Sequence, residues 1–137
     1  MTINIEAVAT DADLEIYTLG KSNLQDLLPD EWLDETLGVK VATPARQRTL
    51  DTVLSTLARK RPPIRSADIV DVTELKAVVC YGTMEILYNG AIAHDDSPNI
   101  GRAKRFGAMF RDELAALQPT VAAGVTASSR SGRLSRG

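Results

Sequence analysis

The most apolar helical pattern of the chain runs from Asp71 to Gly90 and reads DVTELKAVVCYGTMEILYNG. It opens with a capping-box pattern, in which the side chains of Asp71 and Glu74 satisfy the first free backbone N–H groups of a helix. It closes at Gly90, a residue type that often ends helices because it adopts the left-handed conformation without steric strain. The pattern predicts a central helix to about Asn89. Its expected core residues are Leu75, Val78, Val79, Ile86 and Leu87.

Three further helix starts are each marked by a proline, because its fixed φ suits the first turn of a helix and its missing N–H is not needed there. The predicted helices cover residues 29–38, 44–61 and 98–118. Gly38, Pro62 and Pro119 are the residues expected to end them. With the central helix, these segments predict a mainly α fold, a small bundle of about four helices over residues 23–118.

The two ends of the chain are predicted to lie outside this bundle. Apolar and polar residues alternate around Ile3 and Ile5 and again around Leu14 and Ile16, which is the period of a β-strand. Residues 1–22 are therefore expected to form an extended or short β arm. Residues 119–137 combine Ala, Gly, Ser and Arg with few apolar anchors, which predicts a flexible, extended C-terminal docking tail.

Composition indicates one globular domain and argues against several chemistries. The chain has 137 residues, 44% of them apolar and 25% charged. One cysteine, Cys80, and one histidine, His94, exclude an internal disulfide and a zinc site built from His and Cys. No glycine-rich phosphate loop is present. We therefore expect no enzyme activity, cofactor or metal. Without a signal peptide or a membrane-spanning run, we expect cytoplasmic synthesis and no membrane contact.

Charge is distributed unevenly, although the net charge is only −2. Residues 1–38 hold nine acids and one lysine, whereas residues 119–137 hold three arginines and no acid. Such a gradient suits self-association or docking between unlike surfaces. It is equally compatible with a solvated acidic face and a basic tail.

Three basic residues, Arg102, Lys104 and Arg105, begin the last predicted helix, where their charge opposes the helix dipole. An anionic partner would offset this, such as a phosphate or the acidic N-terminal third of an adjacent copy. We interpret the three as a candidate subunit interface. Gly82 and Gly107 interrupt otherwise favourable helices, which indicates close helix–helix contact in which the two could face each other.

The order of these segments resembles the small head–tail adaptor (connector) proteins of tailed bacteriophages. The resemblance is carried by the central helix from Asp71 to Tyr88, by the polar loop leading into residues 102–106, and by the run from Phe110 to Leu114. It extends over residues 24–118 and follows the order of helices more than an invariant motif.

The resemblance implies a helical-bundle subunit without catalytic residues, located in the neck of the virion. About twelve copies would form a homo-oligomeric ring, following portal symmetry, between the portal protein and a further neck or tail-completion protein. DNA would pass through the ring without sequence-specific binding. Because family members grip the portal with a C-terminal extension, the expected portal-docking residues are Val125, Arg130, Arg133, Leu134 and Arg136.

The alternative is a small helical DNA-binding regulator. The helices over residues 44–60 and 72–89 would then form a helix-turn-helix, and the residues contacting phosphates would be Arg59, Lys60, Arg61 and Arg65. The acidic pI of about 5.4 argues against this function. So does the connector over residues 62–71, which is longer than the turn of about 3–4 residues that such a motif uses.

Overall fold

The computed structural model describes residues 3–92 and 97–122. In these ranges the predicted mainly α fold is confirmed, with six α-helices around one hydrophobic core and a two-stranded hairpin. The helices are α1 (Ile5–Val8), α2 (Asp11–Thr18), α3 (Lys21–Leu27), α4 (Thr43–Ala58), α5 (Lys76–Gly90) and α6 (Pro98–Ala116). The antiparallel strands are β1 (Leu33–Asp34) and β2 (Val39–Lys40), and the 3₁₀ turns are Asp30–Trp32, Ser66–Asp68 and Val72–Leu75.

Helix α5 lies at the centre of the fold, as its apolar sequence predicts, and it packs against both α4 and α6. Asp71 begins this segment by accepting the backbone N–H of Thr73 at 3.0 Å, and the chain passes through a 3₁₀ turn into α5. Of the predicted core residues only Ile86 is half-buried. The others are fully buried: Leu75, Val78, Val79 and Leu87.

Three helices approach one another closely at Gly82 on α5. A Cβ added there would lie 2.5 Å from Thr49 Cγ2 on α4 and 2.8 Å from the ring of Phe110 on α6. Packing therefore requires glycine at this position. Gly107 also lies at a close contact, but a Cβ there would meet the carboxylate of Glu85. Each glycine thus faces side chains instead of the other glycine.

The prediction of an extended N-terminal arm over residues 1–22 is wrong, because the described part of this segment is helical. Thr10 and Asp13 form a capping box that starts α2, in which the Asp13 carboxylate accepts the Thr10 N–H at 2.8 Å. Alternation around Ile3 and Ile5 is not a strand pattern. Buried residues within each helix are three or four positions apart, as a helix requires: Ile5 and Val8 in α1, Leu14 and Thr18 in α2.

The helix predicted from Pro29 is replaced by the 3₁₀ turn Asp30–Trp32 and the hairpin. Asp34 turns the chain, since its carboxylate accepts two backbone N–H groups of the turn at 2.9 and 3.1 Å. Its carbonyl accepts the N–H of Gly38 at 2.8 Å. Gly38 has φ +73°, so it closes this turn instead of ending a helix.

Helix α6 begins at its predicted proline and α4 begins one residue before Pro44, but α4 ends at Ala58. The hydroxyl of Ser97 caps α6 by accepting the N–H of Asn99 at 3.2 Å. The basic run that follows α4 therefore lies beyond the helix and does not form its last turn: Arg59, Lys60 and Arg61.

The C-terminal tail begins later than predicted, because residues 119–122 lie on the bundle. Backbone hydrogen bonds of 2.9 Å run from the N–H of Val70 to the carbonyl of Thr120 and from the N–H of Ala122 to the carbonyl of Asp68. These hydrogen bonds satisfy backbone N–H and carbonyl groups for which the sequence pattern predicts no partners. The rest of the tail lies beyond the described residues.

Candidate functional site

The predicted subunit-interface residues lie on the first two turns of α6, and all three side chains are exposed. Successive residues of an α-helix are rotated by about 100°. Arg102 and Arg105 are therefore neighbours on the surface of the helix, whereas Lys104 lies on the other flank. The structure brings two of the three together. Their part in a subunit contact stays a prediction.

The charge of Arg102 is held in place by two neighbours. Its Nη1 donates to Oδ1 of Asn99 at 3.1 Å. Its guanidinium carbon lies 5.8 Å from the centroid of the Tyr88 ring, a cation–π arrangement. That ring stacks on Phe106, with centroids 5.7 Å apart. An arginine fixed in this way presents its remaining N–H groups to a partner with little loss of side-chain freedom.

A groove of about 530 Å³ opens beside Arg102, between the end of α2, α3 and the junction of α5 with α6. Asn23 and Asp26 supply polar groups to it, and Tyr17 forms part of its wall. The Tyr17 ring packs edge-on against Tyr81, with centroids 5.8 Å apart. Burial raises the pKa of Tyr17 above its ordinary value, and the neighbouring Cys80 and Tyr81 add to this effect. The hydroxyl of Tyr17 is therefore protonated at neutral pH.

The hairpin is a second exposed feature, and it carries both apolar and acidic side chains. Leu33 and Leu37 are exposed large hydrophobic residues. Glu31 and Glu35 are exposed beside them. Leucines that remain in water within an acidic surface mark a candidate contact with another protein.

The base of the hairpin is fixed at Lys40. Its backbone N–H donates to the Gln25 amide at 2.9 Å, and its carbonyl accepts from the same side chain at 2.7 Å. Its ammonium group donates to the carbonyl of Leu28 at 3.0 Å and lies 3.2 Å from the carboxylate of Asp30. These contacts join the hairpin to α3, so the exposed leucines are presented from a fixed support.

Arg46, on α4, was not among the predicted residues, although its side chain is buried and only 2% exposed. Its guanidinium donates to Asp11 at 2.9 Å and to Glu6 at 2.8 Å. A signal was present, because Arg46 stands four residues before Leu50 and seven before Val53, on the apolar face of the helix. A charged residue on the buried face of a helix requires a partner of opposite charge.

Cys80 and the acidic residues were the side chains with the greatest potential for chemistry in the described part of the chain. Burial raises the pKa of Cys80 to about 11, so its thiol is protonated at neutral pH. Residues 3–92 and 97–122 contain no group of three or more His, Cys, Asp or Glu side chains that could hold a metal ion. His94 lies outside those ranges. Within them, no helix has the length and apolar character needed to span a bilayer.

The portal-docking residues predicted from the resemblance all lie outside the described residues: Val125, Arg130, Arg133, Leu134 and Arg136. The basic residues of the DNA-binding alternative are described. Arg59, Arg61 and Arg65 are exposed. The ammonium group of Lys60 instead donates to the carbonyl of Leu117 at 3.2 Å, which connects the end of α4 to the end of α6.

Comparison with known proteins gives no relative for this chain. No protein-family model, curated protein or solved structure matches it.

Proposed function

We propose that the chain is a structural subunit in the neck of a tailed bacteriophage virion. About twelve copies form a ring that joins the portal to a further neck or tail-completion protein. DNA passes through the channel without sequence-specific binding. The subunit is made in the host cytoplasm and acts without catalytic residues or cofactors. The proposal rests on the resemblance in helix order and on one structural observation at the C-terminal end of the bundle.

That observation is the attachment of Thr120 to the start of the central helical segment. The carboxylate of Glu74 accepts the backbone N–H of Thr120 at 2.8 Å and its hydroxyl at 3.0 Å. Val121 also pairs with Ile69 in a β-bridge. The arginine-containing residues 123–137 therefore start from a fixed point on the bundle. A docking segment that starts from a fixed point reaches its partner with a smaller loss of chain entropy.

Electron microscopy of the protein mixed with the portal ring encoded beside it tests this proposal. The full chain should add a layer of density to the portal. A variant that lacks residues 123–137 should keep its helical circular dichroism, since the deletion leaves every described residue in place, but it should leave portals bare. Bare portals with the full chain contradict the neck function. An unchanged layer after the deletion removes the tail from the mechanism.

A point variant tests the attachment itself. Glu74→Ala removes both hydrogen bonds to Thr120 and should weaken portal binding several-fold, because the tail then starts from a less restricted point. Glu113→Ala removes another exposed carboxylate, on α6, and is the matched control. Equal binding by the two variants contradicts a positioning role for Glu74.

The DNA-binding regulator remains the second candidate, because Arg59, Arg61 and Arg65 are exposed within seven positions. An electrophoretic mobility shift with duplex DNA tests it. If this function is correct, affinity should fall steeply with salt, and Arg61→Gln should reduce the slope by about one. Absence of a shift at low salt contradicts this candidate and leaves the neck function unaffected.

A further inference from the structure

Six large apolar side chains are exposed in the described residues, and four of them form two pairs on separate elements of the fold. Ile16 and Leu19 lie at the end of α2 and are 71% and 90% exposed. Leu33 and Leu37 lie on the hairpin and are 51% and 65% exposed. Apolar side chains that the core does not use indicate a contact with another molecule when they lie together.

Leu19 is also in a conformation that its residue type disfavours. Its backbone has φ +65° and ψ +34°, the left-handed region that glycine usually occupies at a helix end. The N–H groups of Leu19 and Gly20 both donate to the carbonyl of Glu15, which fixes this geometry. A strained leucine that is almost fully exposed contributes little to folding. Its side chain is therefore available for a contact outside the chain.

The two apolar pairs lie beside arginines and glutamates respectively, and Asp26 also lines the groove that holds Leu19 and Arg102. Leu19 and Arg102 line the same groove, and Arg105 is the surface neighbour of Arg102 on α6. We call Ile16, Leu19, Arg102 and Arg105 the Leu19 surface. Glu31, Leu33, Glu35 and Leu37 are all exposed within residues 31–37, and we call them the hairpin surface. In the described part of the chain, no ion pair joins one surface to the other.

We propose that the hairpin surface of one copy docks on the Leu19 surface of a second copy. The leucines of the hairpin meet the apolar end of α2, while Glu31 and Glu35 pair with Arg102 and Arg105. Because the two surfaces differ, the contact is head-to-tail, and each copy keeps one unused surface for the next. Repetition of such a contact closes into a ring when the rotation per copy allows it.

This inference rests on the proposed function, because it identifies the two surfaces by which copies meet in the ring. It also explains the opposite charges. Complementary potentials favour the correct pairing of surfaces, whereas two hairpin surfaces or two Leu19 surfaces repel each other.

Sedimentation velocity of the isolated protein, without portal, tests the contact through two charge-reversed variants. The first carries Glu31→Lys and Glu35→Lys, and the second carries Arg102→Glu and Arg105→Glu. The wild-type protein should self-associate at low ionic strength, and association should weaken at about 0.5 M salt because exposed ion pairs are screened. Each variant alone should associate at least about tenfold more weakly than the wild type.

A mixture of the two variants is the decisive sample. Neither variant can pair with itself, because both of its surfaces then carry charge of the same sign. In the mixture, the first variant supplies the intact Leu19 surface and the second supplies the intact hairpin. The lysine-bearing hairpin of the first variant also complements the glutamate-bearing Leu19 surface of the second. The mixture should therefore regain association, in assemblies that contain equal numbers of the two variants. A chain with all four reversals should associate with itself again, because its charges remain complementary.

The control reverses two exposed charges outside both surfaces, with Arg48→Glu and Arg111→Glu, and should associate like the wild type. Circular dichroism confirms that each variant is folded, and glutamine replaces the reversed residues in any variant that is not. Wild-type protein that stays monomeric up to its solubility limit overturns the inference, as does a mixture that stays monomeric. Either result leaves the neck function standing if the portal still gains its layer.

Discussion

The guanidinium group of Arg46 donates through Nε to the carboxylate of Asp11 at 2.9 Å, across 35 positions of the sequence. The same side chain donates through Nη1 to the carbonyl of Ala9 at 2.7 Å and to the carboxylate of Glu6 at 2.8 Å. One buried arginine therefore connects α4 to both N-terminal helices. It also satisfies the backbone carbonyl of Ala9, which lies between those two helices. Two short helices, unstable alone, are held on the bundle in this way.

We predict that Arg46→Met destabilises the protein by about 3 kcal/mol, measured by urea denaturation. Removing one partner of a buried ion pair leaves the other without compensation, which typically costs about 3–5 kcal/mol. We expect a loss at the lower end of this range because the carboxylates of Asp11 and Glu6 are partly exposed to water. Arg48→Met, at an exposed position of the same helix, is the control and should change stability by less than about 0.5 kcal/mol. Equal losses would contradict this account.

Replacing glycine by alanine at two positions should have opposite effects. Gly82→Ala should destabilise the protein by about 1–3 kcal/mol, because its methyl group overlaps Thr49 and Phe110 in the packed interior. Gly101→Ala, on α6 with nothing within 4 Å of the added Cβ, should stabilise it by up to about 1 kcal/mol through helix propensity. Thermal denaturation of both variants checks the pair. A Gly82→Ala variant that is more stable than wild type would show that the helices can separate at this contact.

The capping box of α2 should contribute to acid sensitivity through Asp13. Burial alone would raise the pKa of Asp13, but hydrogen bonds from Thr10 and the charge of Lys76 outweigh it and lower the pKa below its usual value. A lowered folded-state pKa gives stability that is complete above the unfolded value of about 3.9 and is lost as pH falls through the folded value. Asp13→Asn should thus cost about 1 kcal/mol at neutral pH.

Urea denaturation of Asp13→Asn and wild type at a series of pH values measures this difference. The two free energies of unfolding should begin to converge below about pH 4 and meet once the pH falls below the lowered pKa of Asp13 in the folded protein. Ser22→Ala, at an exposed position without a titratable group, is the control and should leave the shape of the pH profile nearly unchanged. A gap between Asp13→Asn and wild type that stays constant down to acid pH would exclude the charge of Asp13 as its source.

The parts of the fold that sequence predicts well are those determined by residues close together in the chain. Ser97 caps the helix that it immediately precedes, and Asp71 begins the central segment, because each bonds to an N–H two residues later. The neighbouring positions of Arg102 and Arg105 on the surface likewise follow from helix geometry alone.

The parts of the fold that sequence patterns do not predict depend on partners that are distant in the chain or on unusual backbone conformations. Helices α1 and α2 are secured by Arg46, and no pattern within residues 1–22 indicates that contact. Asp34 was expected in a helix but stabilises a turn, because its short side chain bonds to the following N–H groups. The left-handed conformation of Leu19 could not be predicted, since leucine is a residue type that rarely adopts it.

The strain at Leu19 leads to a prediction that couples stability to assembly. Leu19→Gly should stabilise the isolated protein by roughly 0.5–1 kcal/mol, because glycine adopts φ +65° without the steric penalty of a side chain. The same change removes a side chain from the Leu19 surface and should weaken self-association. Thermal denaturation at low protein concentration and sedimentation velocity at high concentration measure the two effects separately.

Leu19→Ala distinguishes the role of the side chain from that of the strain. Alanine keeps the left-handed strain but removes the apolar group, so this variant should lose self-association without gaining stability. Val70→Ala truncates another exposed apolar residue, outside both surfaces, and should associate like wild type. A Leu19→Gly protein that is more stable and still associates fully would show that the exposed leucine has no part in the contact. A Leu19→Gly protein that is less stable than wild type would show that the Leu19 side chain contributes to the fold.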